Sequence, residues 1–397
     1  MSRAVLVDVV RTASGRGKHG GGLSGIHPVD LLAQTLQRLV ERVDLDPALI
    51  DDVIAGCVTQ AGRQSTNIAR NAVLAAGFPE TVPGTTVDRQ CGSSQQAAQF
   101  AAQAIIAGTS DIVIACGVEQ MSQQPIGYST LGEDYLGPAV AHRYPDGLVS
   151  QGIAAELIAA RWNISRAELD AFAARSHARA TAALDRGLFS SEVVPITLVA
   201  LDGSTTTFGV DETVRRSTTA DALAQLPPAF HTDADAERFP EIGWSITAGN
   251  SSPLTDGASA ALIMSEEKAE QLGLTPRARF VGFTAVGSDP LEMLTGIIPA
   301  TRRILDRTGI ALDDIDVFEV NEAFASVPIA WQREFDVDES KLNPWGGAIA
   351  LGHPLGASGT RILATLVNAL QTGGGRYGLQ VMCEGGGMAN ATIIERL

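Results

Sequence analysis

The order of strand-like and helix-like segments is the feature that most limits how this sequence can fold. Strand-like runs occur at Ala4–Val10, Val53–Cys57 and Asp111–Gly117. Between them lie segments with helical spacing; one starts at Pro28, after which leucines and valines recur every three or four residues. Strands that alternate with helices predict βαβ units and a largely parallel sheet. The fold class is therefore α/β.

The last third of the chain repeats this order. A helical pattern near Thr301–Thr308 precedes a strand at Asp316–Val320, and a glycine-rich turn opens a further helix before the strand Gly378–Cys383. Three landmarks match between the halves, at offsets of 264, 262 and 267 residues: Cys57 with Asn321, Cys91 with His353, and Cys116 with Cys383. The offsets predict a duplicated α/β unit. Chance similarity stays open, since the halves share little sequence identity.

The repeat divides the chain into two halves and an insertion. We predict a first half at residues 1–122 plus 248–272, an inserted loop or lid domain at 123–247, and a second half at 273–397. The insertion is rich in turns and contains a helical segment at Ser165–Arg186, in which Ser165 and Glu168 form a capping box. An insertion of this length suits a lid or substrate-binding region, and an oligomer contact is compatible with that reading.

Charge and cysteine content exclude several classes of protein. The formal net charge of −16 argues against a nucleic-acid or anionic-membrane surface, and no uncharged apolar run is long enough to span a membrane. Four dispersed cysteines predict no disulfide scaffold. Because a strand-like pattern starts at Ala4 and the chain ends in Glu-Arg-Leu, we expect no targeting signal and a cytoplasmic location.

Cys91 lies where a strand gives way to a helix. The β-branched run Thr85–Val87 precedes it, and an alanine-rich helical run, Gln95–Ala107, follows. The N–H groups and dipole at a helix N-terminus favour a thiolate, so the sequence predicts a thiol pKa below the free value of about 8.5. A buried, inert cysteine is the alternative interpretation.

Three residues of the second half complete a chemical set. His353 is flanked by Gly352 and Pro354, and Cys383 precedes a glycine triplet whose N–H groups can face a developing oxyanion. Asn321 ends another strand. A thiol nucleophile, an imidazole base, a second thiol and amide donors indicate acyl transfer, with one cysteine carrying the acyl group and the other moving a proton. Zinc binding is disfavoured because the ligands lack paired spacing.

The motifs around these residues resemble the thiolase family over essentially the whole chain. The matching stretches are Cys91-Gly-Ser, Asn321-Glu-Ala-Phe-Ala325, the loop Gly346–Gly359, and Cys383 with its glycine triplet. The resemblance implies two βαβαβαββ halves in a layered αβαβα core with an inserted loop domain, assembled as a homodimer or homotetramer. Condensing enzymes share this fold but usually place a second histidine where this chain has Asn321 or Cys383.

The resemblance also implies a role for each site residue. Cys91 accepts the acyl group, His353 activates it, and Cys383 moves a proton to or from carbon. Asn321 holds a water that stabilises the thioester enolate with His353. The backbone N–H groups of Cys91 and Gly385 hold the acyl-enzyme oxyanion.

Coenzyme A is implied as co-substrate, with no prosthetic group and no metal. Ser252 matches a pantetheine-contacting serine, Arg215 stands in the place of a nucleotide-binding arginine, and Ala323 with Phe324 is expected to line the pantetheine tunnel. Alternatives are a solvated pair of arginines at 215 and 216 and a core role for Phe324.

These expectations describe an acetyl-CoA C-acyltransferase, a 3-ketoacyl-CoA thiolase that cleaves 3-oxoacyl-CoA with CoA to acetyl-CoA and a shortened acyl-CoA. The stretches Asp88–Gln96 and Met382–Met388 resemble actinobacterial degradative thiolases, which favours fatty-acid or steroid catabolism. Ser150-Gln151 stands where short-chain biosynthetic thiolases commonly have a His-Met pair. Trp345 replaces the small amide that is usual in the family before the Gly-Gly of the histidine loop. A biosynthetic acetoacetyl-CoA thiolase, a condensing enzyme and a non-catalytic acyl-CoA-binding or assembly subunit remain alternatives.

Overall fold

The computed structural model describes residues 2–200 and 202–397. The first segment of the core consists of strands β1 (Ala4–Thr12), β2 (Gly15–Arg16), β3 (Asp52–Gly56), β4 (Gly84–Val87) and β5 (Ile112–Gln120) with helices α1 (Pro28–Arg42), α2 (Ile68–Ala75) and α3 (Ser93–Ala107). Every strand and helix predicted in this segment is present. The helix α1 begins at a proline, as its sequence predicts.

The inserted region carries mostly helices. It contains α4 (Gly137–Arg143), α5 (Gln151–Arg161), α6 (Arg166–Asp185), α7 (Ala220–Ala224) and α8 (Asp233–Arg238), with short strands β6 (Val193–Val194), β7 (Ile196–Val199) and β8 (Thr205–Phe208). The predicted capping box is confirmed at the start of α6, where the side chain of Ser165 accepts from the Glu168 N–H and the Glu168 carboxylate accepts in return.

The rest of the chain completes both halves of the core. It consists of β9 (Thr255–Ser265), α9 (Glu266–Gln271), β10 (Ala278–Gly287), α10 (Ile297–Thr308), β11 (Ile315–Val320), α11 (Ser326–Phe335), α12 (Ala348–Leu351), α13 (Ser358–Gly373), β12 (Tyr377–Glu384) and β13 (Met388–Arg396). No helix in the described part of the chain has the length and apolar character that crossing a membrane requires.

The main sheet runs in the order β11-β12-β13-β10-β1-β9-β5-β3-β4, so the two halves meet where β1 pairs with β10. From that junction the two halves have the same strand order outward. Only the outer strands of this path pair in parallel, whereas β13, β10, β1 and β9 are antiparallel to their neighbours. The expectation of a largely parallel sheet is therefore wrong. In the second half, a three-residue turn joins β12 to β13, and a short hairpin must be antiparallel.

Helices cover and separate the strands in five layers. The central helices α3 and α13 contact each other and strands of both halves. Helices α1 and α2 pack on the outer face of the first half, and α10 and α11 pack with the outer face of the second half. The small side chains of α3, among them Ala97 and Ala101, are fully buried in the central layer. The predicted αβαβα core is confirmed.

Sheet register corrects one of the matched landmarks. The last paired residues of β3 and β11 are Gly56, opposite Gly117, and Val320, opposite Val381. Gly117 and Val381 are therefore equivalent positions of β5 and β12, and the residues two positions after them, Glu119 and Cys383, are equivalent too. The predicted match of Cys383 with Cys116 is wrong by three residues. Similar buried strands carry few features that fix their alignment in sequence, whereas hydrogen-bond register fixes it directly.

Candidate active site

The N-termini of the two central helices lie against each other. A Cβ atom on Gly359 would stand 2.0 Å from the backbone nitrogen of Gln95, so the approach requires glycine. The Thr360 N–H donates to Ser94 Oγ at 3.1 Å, which joins α13 to α3. The segments that precede these helices, which carry Cys91 and His353, are brought to one end of the central layer as a result.

Two buried carboxyl groups anchor the loop that carries His353. Glu119 accepts hydrogen bonds from the Gly356 N–H at 2.9 Å and from Gln64 Nε2 at 2.8 Å. Glu322 accepts from the Ile349 N–H at 3.2 Å on the other side of the histidine. Burial raises the pKa of both carboxyl groups, against the lowering effect of these donors. Glu119, which is the equivalent of Cys383 in the first half, thus holds the loop that carries His353.

His353 is held as a neutral base. Its Nδ1 lies 2.6 Å from Ser358 Oγ, and that hydroxyl donates its single hydrogen to the Pro354 carbonyl at 2.9 Å. Ser358 must therefore accept a hydrogen bond from His353, which places the proton of the imidazole on Nδ1 and leaves Nε2 unprotonated. Burial, with a smaller effect of the nearby Arg361 charge, lowers the pKa of His353 to about 3. The imidazole can accept a proton at Nε2.

Asn321 lies between the histidine and the second cysteine. Its Nδ2 is 3.5 Å from His353 Nε2, and its side chain also hydrogen-bonds to the Cys383 thiol. Asn321 Oδ1 is buried with no hydrogen-bond partner in the described residues. Burial, followed by the proximity of Cys91, raises the pKa of Cys383. The resting second thiol is therefore protonated and can donate.

Cys91 is a protonated thiol in the resting site, which makes the expectation of a low pKa wrong. Its residue is 3% exposed, and burial followed by the charge of Glu384 raises its pKa to about 12. Hydrogen bonds from the Gln151 side chain and the Gly385 N–H oppose this rise. The backbone N–H groups at the start of the helix do little to lower the pKa of Cys91, because those of Gly92 and Ser93 donate to preceding carbonyls.

A cavity of about 750 Å³ opens beside these groups. Its wall includes Gln90, Gln151, His353 and Gly385 together with the predicted coenzyme contacts Ser252, Ala323 and Phe324. The rest is mainly apolar: Met121, Ile126, Tyr135, Leu136, Leu148, Val149, Phe230, Pro253, Leu254, Pro290, Met293, Leu355 and Met388. Among the described residues, no Lys or Arg side chain lines this cavity, which suits an acyl and pantetheine chain better than a phosphate group.

The structure joins most of the predicted site residues. Cys91, His353, Cys383, Asn321 and Gly385 form one cluster through the contacts described above.

Arg215 is the exception among the predicted coenzyme contacts. It is exposed and outside the cavity lining, and its backbone N–H donates to His177 Nδ1 at 3.1 Å. Its predicted contact with a nucleotide stays a prediction. Within residues 2–200 and 202–397, no three His, Cys, Asp or Glu side chains cluster so as to hold a metal ion.

Sequence reasoning named Gln151 only as a departure from short-chain biosynthetic thiolases and missed its contact with the nucleophile. Gln151 is the first residue of α5, after the N-cap Ser150. A serine before a helical pattern marks where the helix begins, but it does not reveal that the next side chain reaches Cys91. Ser358 was missed for the same reason, since its contact with His353 depends on the local turn.

Replacing Gln151 with alanine or methionine is expected to slow acylation of Cys91 about tenfold or more, because a hydrogen bond to a forming thiolate is lost. Methionine restores the length without the donor. The measurement is the alkylation rate of Cys91 against pH, which should show a higher thiol pKa in both variants. Wild-type behaviour of Gln151→Met would assign the residue a space-filling role instead.

Comparison with known families and structures agrees with this arrangement. A family model described as "Thiolase, N-terminal domain" matches residues 4–267, and one described as "Thiolase, C-terminal domain" matches residues 274–396. The two matched segments together span nearly the whole chain.

Similar proteins extend over the full length. The steroid 3-ketoacyl-CoA thiolase FadA6 of Mycobacterium tuberculosis is 50% identical, with 100% of this chain and 95% of the relative covered. A 3-ketoacyl-CoA thiolase of Vibrio vulnificus is 43% identical, with both chains fully covered. The crystal structure of the Bacillus anthracis acetyl-CoA acetyltransferase is 38% identical with a TM-score of 0.89, covering 100% of this chain and 99% of that one.

Proposed function

The chain belongs to the thiolase family, and from that premise we propose that it is a 3-ketoacyl-CoA thiolase that transfers an acyl group from 3-oxoacyl-CoA to CoA. The observation that carries this proposal is the single cluster of two thiols and one neutral imidazole beside an apolar cavity. Transfer through a thioester requires a nucleophile, a base for it and a separate acid for carbon.

In the first half-reaction, His353 Nε2 takes the proton of Cys91 as the sulfur attacks the 3-oxo carbon. The bond between the second and third carbons then breaks, and its electron pair leaves as the enolate of acetyl-CoA. Cys383 protonates this carbon, so acetyl-CoA departs and a shortened acyl group remains on Cys91. Because burial raises the pKa of Cys91 and keeps its thiol protonated, proton removal has to accompany attack.

In the second half-reaction, CoA displaces the acyl group. Transfer of a proton from the His353 imidazolium to the Cys383 thiolate first restores both groups. His353 then takes the thiol proton of CoA, whose sulfur attacks the acyl carbon, and the leaving Cys91 sulfur recovers that proton from His353. Every residue returns to its starting protonation state after one turnover.

Amide donors stabilise the two anions in this proposal. The Gly385 N–H contacts the Cys91 sulfur, so it is close to the acyl carbon once the thioester forms. With the Cys91 N–H it would hold the tetrahedral oxyanion. Asn321, which contacts both His353 and Cys383, would hold a water that stabilises the enolate oxygen together with His353.

Coenzyme A enters as co-substrate, and we propose no prosthetic group. Ser252, Ala323 and Phe324 would contact pantetheine, because they form one wall of the cavity. Arg215, exposed outside that wall, would contact the nucleotide. We also propose a cytoplasmic enzyme that assembles as a homodimer or homotetramer.

The substrate proposed is a 3-oxoacyl-CoA larger than acetoacetyl-CoA, from fatty-acid or steroid catabolism. A cavity of about 750 Å³ with a mainly apolar wall accommodates a bulky acyl group, and the relative at 50% identity is named a steroid thiolase. The structural neighbour named an acetyl-CoA acetyltransferase favours a short-chain biosynthetic enzyme as the second candidate.

The proposal predicts an acyl adduct on Cys91 when the protein is mixed briefly with a 3-oxoacyl-CoA and no free CoA. Mass spectrometry of the digested protein would locate the adduct, and a Cys91→Ser variant is the control. Release of the adduct by added CoA should yield the shortened acyl-CoA. An adduct on another residue, or tight CoA binding without any turnover, would remove the assignment.

A turnover panel decides between the two candidates. It should run from acetoacetyl-CoA through long-chain to polycyclic 3-oxoacyl-CoA thioesters, with kcat/KM measured in the direction of cleavage. Preference for the larger substrates supports the degradative enzyme. A preference for acetoacetyl-CoA, with ready condensation of acetyl-CoA, supports the biosynthetic one.

A further inference from the structure

Glu384 is a buried carboxyl group that the proposed reaction does not use. It is the last residue of β12 and is 0% exposed. Neither of its side-chain oxygens hydrogen-bonds to any described residue. A carboxylate without a partner is costly to bury, so the position is unusual beside a reactive thiol.

The carboxyl group of Glu384 packs against the peptide that follows the nucleophile. A Cβ atom on Gly92 would stand 1.9 Å from Glu384 Oε1, so the carboxyl group occupies the space that any other side chain would need. Along β12, Glu384 lies on the same face as Met382, which shares a buried cluster with Cys91. The Cys383 side chain points to the opposite face.

Few charges surround this group. Asp88 and Arg89, on the connection between β4 and α3, are the charged residues that affect its pKa, and the thiols of Cys91 and Cys383 are the titratable groups of the adjoining site. Arg89 forms no ion pair with Glu384, and its Nη1 lies 3.6 Å from Met388 Sδ. Burial raises the pKa of Glu384 to about 9, with Arg89 lowering it and Asp88 raising it.

We propose that Glu384 is a positioning residue that works as a neutral carboxylic acid, and that its ionisation stops acylation of Cys91. The inference rests on the proposed function. In its neutral form, the group fills the space beside Gly92 without adding charge. When it ionises, a buried negative charge opposes the thiolate and the oxyanion that form next to it.

Electrostatics give the direction of the effect. A buried carboxylate raises the pKa of a neighbouring thiol, so acylation should become slower as Glu384 loses its proton. The acylation rate of the wild-type protein should fall about tenfold per pH unit above pH 9, because the neutral fraction of Glu384 falls in that way. A glutamine at this position cannot ionise and has nearly the same shape.

The test compares the wild-type protein with Glu384→Gln in the full-length chain. Stopped-flow acylation by a 3-oxoacyl-CoA is recorded from pH 7.5 to pH 10, with Glu267→Gln as control because Glu267 is exposed on α9. The ratio of the Glu384→Gln rate to the wild-type rate is expected to rise about tenfold over this range. Parallel alkaline profiles of the two proteins would overturn the proposal.

Two further measurements do not need thiolase turnover. Alkylation of Cys91 by iodoacetamide, followed by mass spectrometry, should give a lower thiol pKa in Glu384→Gln than in the wild type. This shift separates the inference from the proposed function, since it would persist in a protein that turns over no 3-oxoacyl-CoA. An unchanged alkylation pKa would overturn the inference alone.

Infrared spectroscopy covers the case in which the variant does not fold. Difference spectra of wild-type protein labelled with carbon-13 glutamate should show a buried protonated carboxyl band at pH 7.5 that disappears as the pH rises through about 9. Glu119 and Glu322 accept hydrogen bonds, which distinguishes their carboxyl bands from that of a group without partners. Glu319 also has a buried oxygen without a partner, so its band is identified by its loss in a Glu319→Gln spectrum. Absence of a partner-free protonated carboxyl at pH 7.5 would refute the inference.

Discussion

The His353→Ala variant is expected to lose about 10³-fold or more in kcat/KM with every 3-oxoacyl-CoA, because it removes the general base of both half-reactions. Burial raises the pKa of Cys91 far above 7.5, so only a very small fraction of this thiol is ionised at that pH. Without the imidazole, the small thiolate fraction has to carry the reaction. The measurement is single-turnover acylation of Cys91, which separates the chemistry from product release.

The pH profile of the His353→Ala variant shows whether its activity is lost because the general base is missing. Residual activity should rise about tenfold per pH unit between pH 7 and pH 9, as hydroxide replaces the base and Glu384 keeps its proton. The wild-type rate should change little between pH 5 and pH 8, since His353 stays neutral there with its pKa near 3. A loss below tenfold, or a residual rate independent of pH, would contradict the role of His353 as base.

A Ser358→Ala variant is the matched control. It keeps the imidazole but removes the acceptor that holds the proton on Nδ1, so a smaller loss than in His353→Ala is expected.

The buried histidine also affects the folding stability of the protein. Its folded-state pKa is lower than the unfolded value of about 6.5, so the unfolded chain binds more protons below that pH. The His353 contribution to folding stability is therefore lost as the pH falls from about 6.5 towards 3.

The Cys383→Ala variant is expected to lose about 10²- to 10⁴-fold in the rate of carbon–carbon cleavage, because the enolate of acetyl-CoA has no acid to protonate it. The acyl exchange between a simple acyl-CoA and labelled CoA needs only Cys91 and His353. That exchange should fall by much less. Cleavage is measured as release of acetyl-CoA in a single turnover, and exchange is measured as incorporation of the label.

A Cys383→Ser variant tests the chemistry of the acid with little change in volume. The hydroxyl is a far weaker acid than a thiol, so cleavage should remain slow while exchange is preserved. An equal loss of cleavage and exchange in both variants would refute a separate role for Cys383. It would indicate that the substitutions disturb Cys91, whose thiol lies close enough to raise the pKa of Cys383.

Secondary structure was predictable from the sequence because its signals are local. The helix at α6 has its capping residues in the sequence, and the strand at β5 begins as a run of buried apolar residues. Strand direction was not predictable in this way. Strands that are buried on both faces are apolar in parallel and antiparallel pairs alike. The hydrophobic pattern of the sequence therefore does not show that β1, β9, β10 and β13 are antiparallel.

The residue types of Cys91, His353 and Cys383, and the glycines beside them, are properties of the sequence, and they determined which chemistry this chain can carry out. Their protonation was decided by the tertiary structure. Burial overrides the effect of the helix terminus on Cys91, and the bond between Ser358 and Pro354 fixes the tautomer of His353. Such effects depend on desolvation and on contacts between distant segments, as when Glu384 packs against Gly92, and neither is encoded in local spacing.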